Sequence, residues 1–265
     1  MTWQRAESET PLARRVVLLG ASNLVRNIAT VVQTACAAWG GPANVLMAAG
    51  HGRSYGRASC VFGRTLPGIV ECELWQTLAR QPAVPTAALV TDVGNDILYG
   101  AEESTIALWV EFCLIQLRLA GARIVMTELP LDNLRNLQAW RFRLFRTVLF
   151  PQSRLTLEGA LIQAAALNKR LRVLADKYEV TLVEPQRNWY TFDPIHSCFQ
   201  RQADAWSVVM SHWKRDQPAS RCPGTRRNGL YLRTLRPHQR SFAGLQSRRA
   251  QPSGRLADGT QISLF

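Results

Sequence analysis

The chain is most constrained by the stretch Arg15-Val16-Val17-Leu18-Leu19-Gly20-Ala21-Ser22-Asn23-Leu24. Val16 to Leu19 is too short for a buried helix and rich in branched residues, as in the central strand of a parallel sheet. Gly20 permits a sharp turn, Ser22 and Asn23 are good N-cap types, and a helical pattern follows. A serine therefore stands at the carboxyl end of a buried strand, where a helix begins. Ligands of open α/β sheets bind at that edge, and helix N-termini offer free N–H groups to negative charge. Taken alone, Ser22 reads better as a helix cap.

The same strand-then-helix pattern recurs along the chain. Strands are expected at Val45–Ala49, Ala87–Thr91, Arg123–Thr127 and Val180–Val183. Helices are expected over Leu24–Trp39, Gly68–Arg80, Glu102–Leu119, Thr156–Tyr178 with Thr156 as N-cap, and about Phe199–Trp213. An aromatic and arginine-rich stretch (Trp140, Arg141, Phe142, Arg143, Phe145, Arg146, Phe150) reads as a partly helical insertion, with Arg141, Arg143 and Arg146 on a solvated face. Strands alternating with helices imply right-handed βαβ units. The fold class expected is α/β: a flavodoxin-like three-layer αβα sandwich on a five-stranded parallel sheet, order 2-1-3-4-5.

Charge separates the chain into parts. Residues 214–265 hold 11 Lys and Arg against 2 Asp and Glu, so most of the net +13 belongs there. Composition shifts after Arg215 to Arg, Gly, Pro, Ser and Gln without helical periodicity. The expected organisation is an N-terminal extension (1–14), an α/β domain (15–215) and a flexible basic tail (216–265). Within the tail, Asp258-Gly259 is a hairpin signal before Ile262-Ser263-Leu264-Phe265. The tail could give weak, non-specific phosphate affinity, but no RNA- or DNA-binding motif accompanies it. No apolar run approaches a membrane span, and Met1–Pro11 has no apolar core of a secretory signal. The six scattered cysteines form no Cys-x-x-Cys pair, which suits reduced thiols, a cytoplasmic setting and no zinc site.

Four loops carry chemistry: Gly20-Ala21-Ser22-Asn23, Gly50-His51-Gly52-Arg53-Ser54, Gly94-Asn95-Asp96 and Asp193-Pro194-Ile195-His196. Each follows an expected strand, so all would open at one sheet edge. Acyl transfer needs a nucleophile, a base, a carboxylate that orients the base, and oxyanion donors. Ser22 can be the first, His196 the second and Asp193 the third. Gly52 can present a backbone N–H and Asn95 a side-chain amide.

In these four blocks, taken in order, the chain resembles the SGNH (GDSL-like) hydrolases over Val16 to roughly Trp213. The resemblance implies a serine esterase without metal or cofactor, acting on a small-molecule ester through an acyl-enzyme. The catalytic residues would be Ser22, Asp193 and His196, with an oxyanion hole from the Ser22 and Gly52 N–H groups and the Asn95 amide. The second block admits Gly50 or Gly52; Gly52 fits better, because Gly52-Arg53-Ser54 resembles the family's Gly-Asp-Thr. Asp96 is expected to brace its own loop. Two positions depart from the pattern: Ala21 stands where Asp is usual, and Val93 where Gly is common, which bears on loop support and on the width of the acyl pocket. His51 and Arg53 could touch an acidic substrate but read better as a solvated loop, and Trp189 and Tyr190 are candidates for the pocket wall or for core packing. A competing reading is an anion- or nucleotide-binding module without catalysis. Against it, neither Gly-x-x-x-x-Gly-Lys-Ser/Thr nor Gly-x-Gly-x-x-Gly follows the first strand.

Overall fold

The computed structural model describes residues 12–61, 63–151, 153–190, 196–214 and 221–265. In chain order the first half runs β1 (Arg15–Leu19), α1 (Ser22–Arg26), α2 (Ile28–Trp39), β2 (Asn44–Ala48), β3 (Ser59–Val61), β4 (Arg64–Leu66), α3 (Leu74–Arg80), β5 (Thr86–Val90), α4 (Asn95–Leu98) and α5 (Glu103–Leu119). The second half runs β6 (Ala122–Thr127), α6 (Leu131–Arg135), α7 (Ala139–Leu149), α8 (Leu157–Lys177), β7 (Thr181–Val183), α9 (Gln202–Ser211), α10 (Arg226–Thr234), β8 (Gln239–Phe242), β9 (Leu245–Arg248), β10 (Gly254–Arg255) and β11 (Gln261–Leu264).

The central sheet has the order β10-β11-β2-β1-β5-β6-β7. Its inner part, β2-β1-β5-β6-β7, is the expected parallel arrangement with the expected order. The expected count of five is corrected to seven, because β11 adds in parallel to the β2 edge and β10 pairs antiparallel with β11. A free β2 edge would leave a row of unpaired N–H and C=O groups, and β11 covers it.

Alternate residues of the fully buried strands face two cores. Val17, Leu19, Ala88, Val90 and Met126 pack with residues of α5 and α8. Val16, Leu18, Leu89 and Val125 pack with residues of α2 and α9. Period-two alternation with both faces covered makes the strands read as continuous apolar runs. The helix ends follow local chemistry. The Thr156 hydroxyl caps α8 by accepting from the Gly159 N–H at 3.1 Å, and Gly40, at φ 98°, closes α2.

Residues 221–265 differ from the flexible tail expected over 216–265. Thr225 caps α10, accepting from the Asn228 N–H at 3.2 Å. Leu232 is buried in the α2 core, and β8 pairs with β4 in a second, four-stranded sheet, β3-β4-β8-β9. The hairpin at Asp258-Gly259 forms, delivering Ile262 at 0% exposure. Few apolar residues suffice here, because Leu232, Leu256, Ile262 and Phe265 all land on an existing core. Composition signals a tail when averaged over the segment; the packing depends on these single residues. The last expected helix is shorter than expected, and the stretch Gly68–Arg80 is split by a 3₁₀ turn at Ile69–Glu71 before α3.

This arrangement makes the C-terminal segment part of the stable core. Ile262→Ala is expected to cost about 2–5 kcal/mol in urea unfolding. Leu245→Ala on β9, where the side chain is 78% exposed, should cost less than about 0.5 kcal/mol. Equal, negligible costs at both positions would mean that the segment does not pack.

Candidate active site

The site is built where β1 and β5 end side by side. Gly20 lies in this crevice, since a Cβ there would come within 2.8 Å of Thr91 Cγ2 and 2.9 Å of Leu24 Cδ1. Ser22 then opens α1 with only 6% of its surface exposed. Its Oγ lies 2.8 Å from His196 Nε2. Asp193, the expected partner of that imidazole, lies outside the described residues.

What holds the Ser22 turn is Asp92. Its backbone is in the left-handed region, φ 58°, which is uncommon for a residue with a side chain. The turn aims the carboxylate back under α1. Oδ2 accepts from the N–H groups of Ala21 (3.1 Å) and Asn23 (3.0 Å), and Oδ1 accepts from Asn23 Nδ2 (2.7 Å). The Ser22 N–H lies between the two claimed donors, and no described acceptor takes it. Burial raises the Asp92 pKa above the usual carboxylate range, opposed by the bonds to Asn23 and Ala21 and by the charge of His196. Asn23 reaches the other way: its Oδ1 accepts from the Ser197 N–H (2.9 Å) and hydroxyl (3.2 Å), tying the His196 segment to α1. Neither residue was singled out in the sequence. The signal was Ala21: a missing carboxylate in the first block, with an unassigned Asp92 three positions before Asn95.

The glycine loop is held to the third block by a second carboxylate. Asp96 accepts from the Ser54 hydroxyl and, at 2.8 Å, from the Tyr55 N–H. It therefore braces the neighbouring loop, not merely its own. Burial pushes its pKa up to about 6, against the pull of those bonds. The Tyr55 hydroxyl, fully buried, reaches the carbonyls of Thr91 (2.8 Å) and Leu19 (3.2 Å) at the sheet edge. Asn95 Nδ2 donates to Arg53 O at 3.3 Å, leaving its second amide hydrogen for another acceptor. Gly52 has φ 60°; a Cβ there would meet Val61 Cγ2 at 2.6 Å, and its carbonyl accepts from the Tyr99 hydroxyl at 2.7 Å.

Arg53 does not face a substrate. It is fully buried, donating to the carbonyls of Pro67 (3.2 Å) and Phe265. His51 is exposed beside it. Below Ser22 and Asn95 lies a cavity of about 110 Å³ whose lining includes Val93, Leu129, Phe142, Ala164, Trp189 and Tyr190. Val93 thus narrows this cavity, and both Trp189 and Tyr190 wall it. Of the three arginines expected on a solvated face, Arg143 is exposed, Arg141 lies over the Trp140 ring at 5.3 Å, and Arg146 is half-buried, donating to Leu155 O at 2.9 Å. Among the described residues, no three His, Cys, Asp or Glu side chains converge as metal ligands, and no helix is long and apolar enough to cross a membrane.

No protein-family model matches the chain, and no curated protein matches it in sequence. Solved structures do. A carbohydrate acetylesterase family member from Sinorhizobium meliloti aligns with a TM-score of 0.53 at 14% identity, covering 74% of this chain and 95% of that one. The inhibitor-bound aryl esterase of M. smegmatis aligns with a TM-score of 0.50 at 14% identity, covering 74% and 96%. The shared part is the three-layer sandwich with its parallel sheet, so the chain has the fold of these two esterases.

Proposed function

We propose that the protein is a serine hydrolase that cleaves carboxylic esters through an acyl-enzyme, with Ser22, His196 and Asp193 as its catalytic residues. The observation that carries this reading is the 2.8 Å contact of Ser22 Oγ with His196 Nε2, at the end of β1. With Nε2 unprotonated, the hydroxyl donates to it and is poised to lose its proton. Asp193 is assigned to the other side of the imidazole by its spacing from His196. The solved structures of the same fold are esterases by name, which agrees with this chemistry.

The reaction follows from these positions. Ser22 Oγ attacks the ester carbonyl carbon as its proton passes to His196. The carbonyl oxygen gains the negative charge and is met by the unclaimed Ser22 N–H, the Gly52 N–H and the second amide hydrogen of Asn95. Collapse breaks the bond to the alcohol, and His196 returns the proton to the departing alkoxide. Water then attacks the acyl-enzyme with His196 as base, releasing the acid and Ser22. The acyl group occupies the apolar cavity below Ser22. At about 110 Å³ it is smaller than a cavity of ~150 Å³ known to hold benzene, so it suits short acyl chains. An anion- or nucleotide-binding module without catalysis is not favoured by the space under Ser22, whose described lining is mostly apolar and holds no Lys, Arg or His.

A fluorophosphonate should label the parent and not Ser22→Ala, whose kcat should fall by on the order of 10⁴ or more with the fold intact. Asn95→Ala should lose roughly 10²–10³ in kcat with KM nearly unchanged. Parental labelling of Ser22→Ala would remove Ser22 as nucleophile.

Asp92→Asn should lower kcat by about 10- to 100-fold, because an amide cannot accept all three bonds and Ser22 shifts from its position. The check is kcat and KM together with the thermal midpoint. A purely structural role would lower the midpoint without a selective loss of kcat.

On p-nitrophenyl esters, acetate or butyrate should exceed octanoate in kcat/KM by about 10-fold or more, since overpacking the cavity costs about 1–3 kcal/mol. A preference for octanoate would mean that the acyl chain lies elsewhere.

A further inference from the structure

A second cavity, of about 340 Å³, opens beside the site and is lined by Arg26, His51, Arg64 and Arg233 over an apolar floor that includes Met47 and Leu232. Among the described residues, no acidic one lines it. It touches both halves of the candidate active site. Arg26 ends α1, one turn beyond Ser22 and on the same helix face. His51 immediately precedes Gly52. The far wall comes from the C-terminal segment through α10, and the pairing of β4 with β8 draws Arg240 near Arg64.

Among the described residues, no carboxylate forms an ion pair with Arg64, Arg233 or Arg240. Arg64 Nε is buried without a hydrogen-bond partner, a costly state for a donor. Partial desolvation lowers the His51 pKa although much of the side chain is exposed, and the charges of His196, Arg64 and Arg26 lower it further. Guanidinium groups around an apolar-floored cleft suit an oxyanion, which they can grip with paired N–H bonds.

We propose that this cavity binds an oxyanion, phosphate or carboxylate, carried by the alcohol half of the ester, so that the substrate class is the acyl ester of a small anionic alcohol. The assignment rests on the serine-esterase reading. The acyl cavity offers an anion no cation, since its described lining holds no Lys, Arg or His; the alcohol half remains. At about 30 Å³ per water-sized group, the basic cavity has room for on the order of ten such groups. A short alcohol bearing one phosphate fits that space, and a nucleotide exceeds it.

The test compares four acetate esters of similar size: 2-acetoxyethyl phosphate, 3-acetoxypropanoate, neutral 2-methoxyethyl acetate and cationic acetylcholine. The parent should favour the anionic esters over the neutral one by about 10-fold or more in kcat/KM and disfavour the cation, with the margin shrinking as salt rises. The two anionic esters distinguish phosphate from carboxylate as the preferred group. Arg64→Gln and Arg233→Gln should each lower the anionic-to-neutral ratio about 10-fold or more. Arg248→Gln, which removes the same charge from exposed β9, should leave the ratio as it is. A parent without anionic preference, or a ratio lowered equally by Arg248→Gln, overturns the proposal while the esterase reading stands. Should Arg64→Gln not fold, Arg233→Gln on the exposed surface decides. Should the parent cleave none of the four esters or any p-nitrophenyl ester, the esterase reading fails. Calorimetry with inorganic phosphate then judges the cavity: binding lost in the arginine variants supports it, and no binding to the parent overturns it.

Discussion

The active-site edge depends on one buried carboxylate. Asp92 accepts three hydrogen bonds that join the end of β5 to the turn after β1 and, through Asn23, to the segment carrying His196. A left-handed backbone and a desolvated carboxylate are both unfavourable in isolation. They persist because three donors converge on that carboxylate. Since the bonds claim the N–H groups on either side of Ser22, they also leave its own N–H facing outward. A carboxylate supplied from the neighbouring strand thus does the work of local support at a position where Ala21 has none to offer.

Asp96 plays a similar part for the glycine loop, and its electrostatics have a direction. Its folded-state pKa, about 6, lies above the usual 3.8, so the folded protein binds the proton more tightly than the unfolded chain. Its contribution to stability is therefore greatest below about pH 4 and declines as pH rises through about 6. Near neutral pH the ionised group is retained at a cost, and the bonds from Ser54 and Tyr55 hold the loop that carries Gly52.

The C-terminal segment changes what kind of site this is. β11 covers the β2 edge, while α10 and the residues just after it line the basic cavity beside His51. Two unlike cavities consequently flank α1: one small and mostly apolar, lined by Ser22, the other wider and cationic, lined by Arg26. An ester whose two halves differ in charge matches that division.

The inner strands, their order and the position of Ser22 were legible in the sequence, because fully buried parallel strands leave uninterrupted apolar runs and their ends carry recognisable turn chemistry. Asn95 and Gly52 could be named for the same reason, each standing within four residues of such a run, and His196 through the Asp193-Pro194-Ile195-His196 block. Other features depended on contacts between residues far apart in the chain, for which local periodicity leaves no mark. Asp92 works through residues some 70 positions earlier, and Arg53, expected in a solvated loop, is instead buried against a carbonyl 212 positions away. Residues 221–265 looked like a tail because their apolar residues are sparse. They pack because those few residues meet cores already formed by the rest of the chain. Local sequence determined the strands and their turns; tertiary structure decided which charges are buried, which edges are covered and what surrounds the serine, because burial is a property of the assembled layers and not of any single segment.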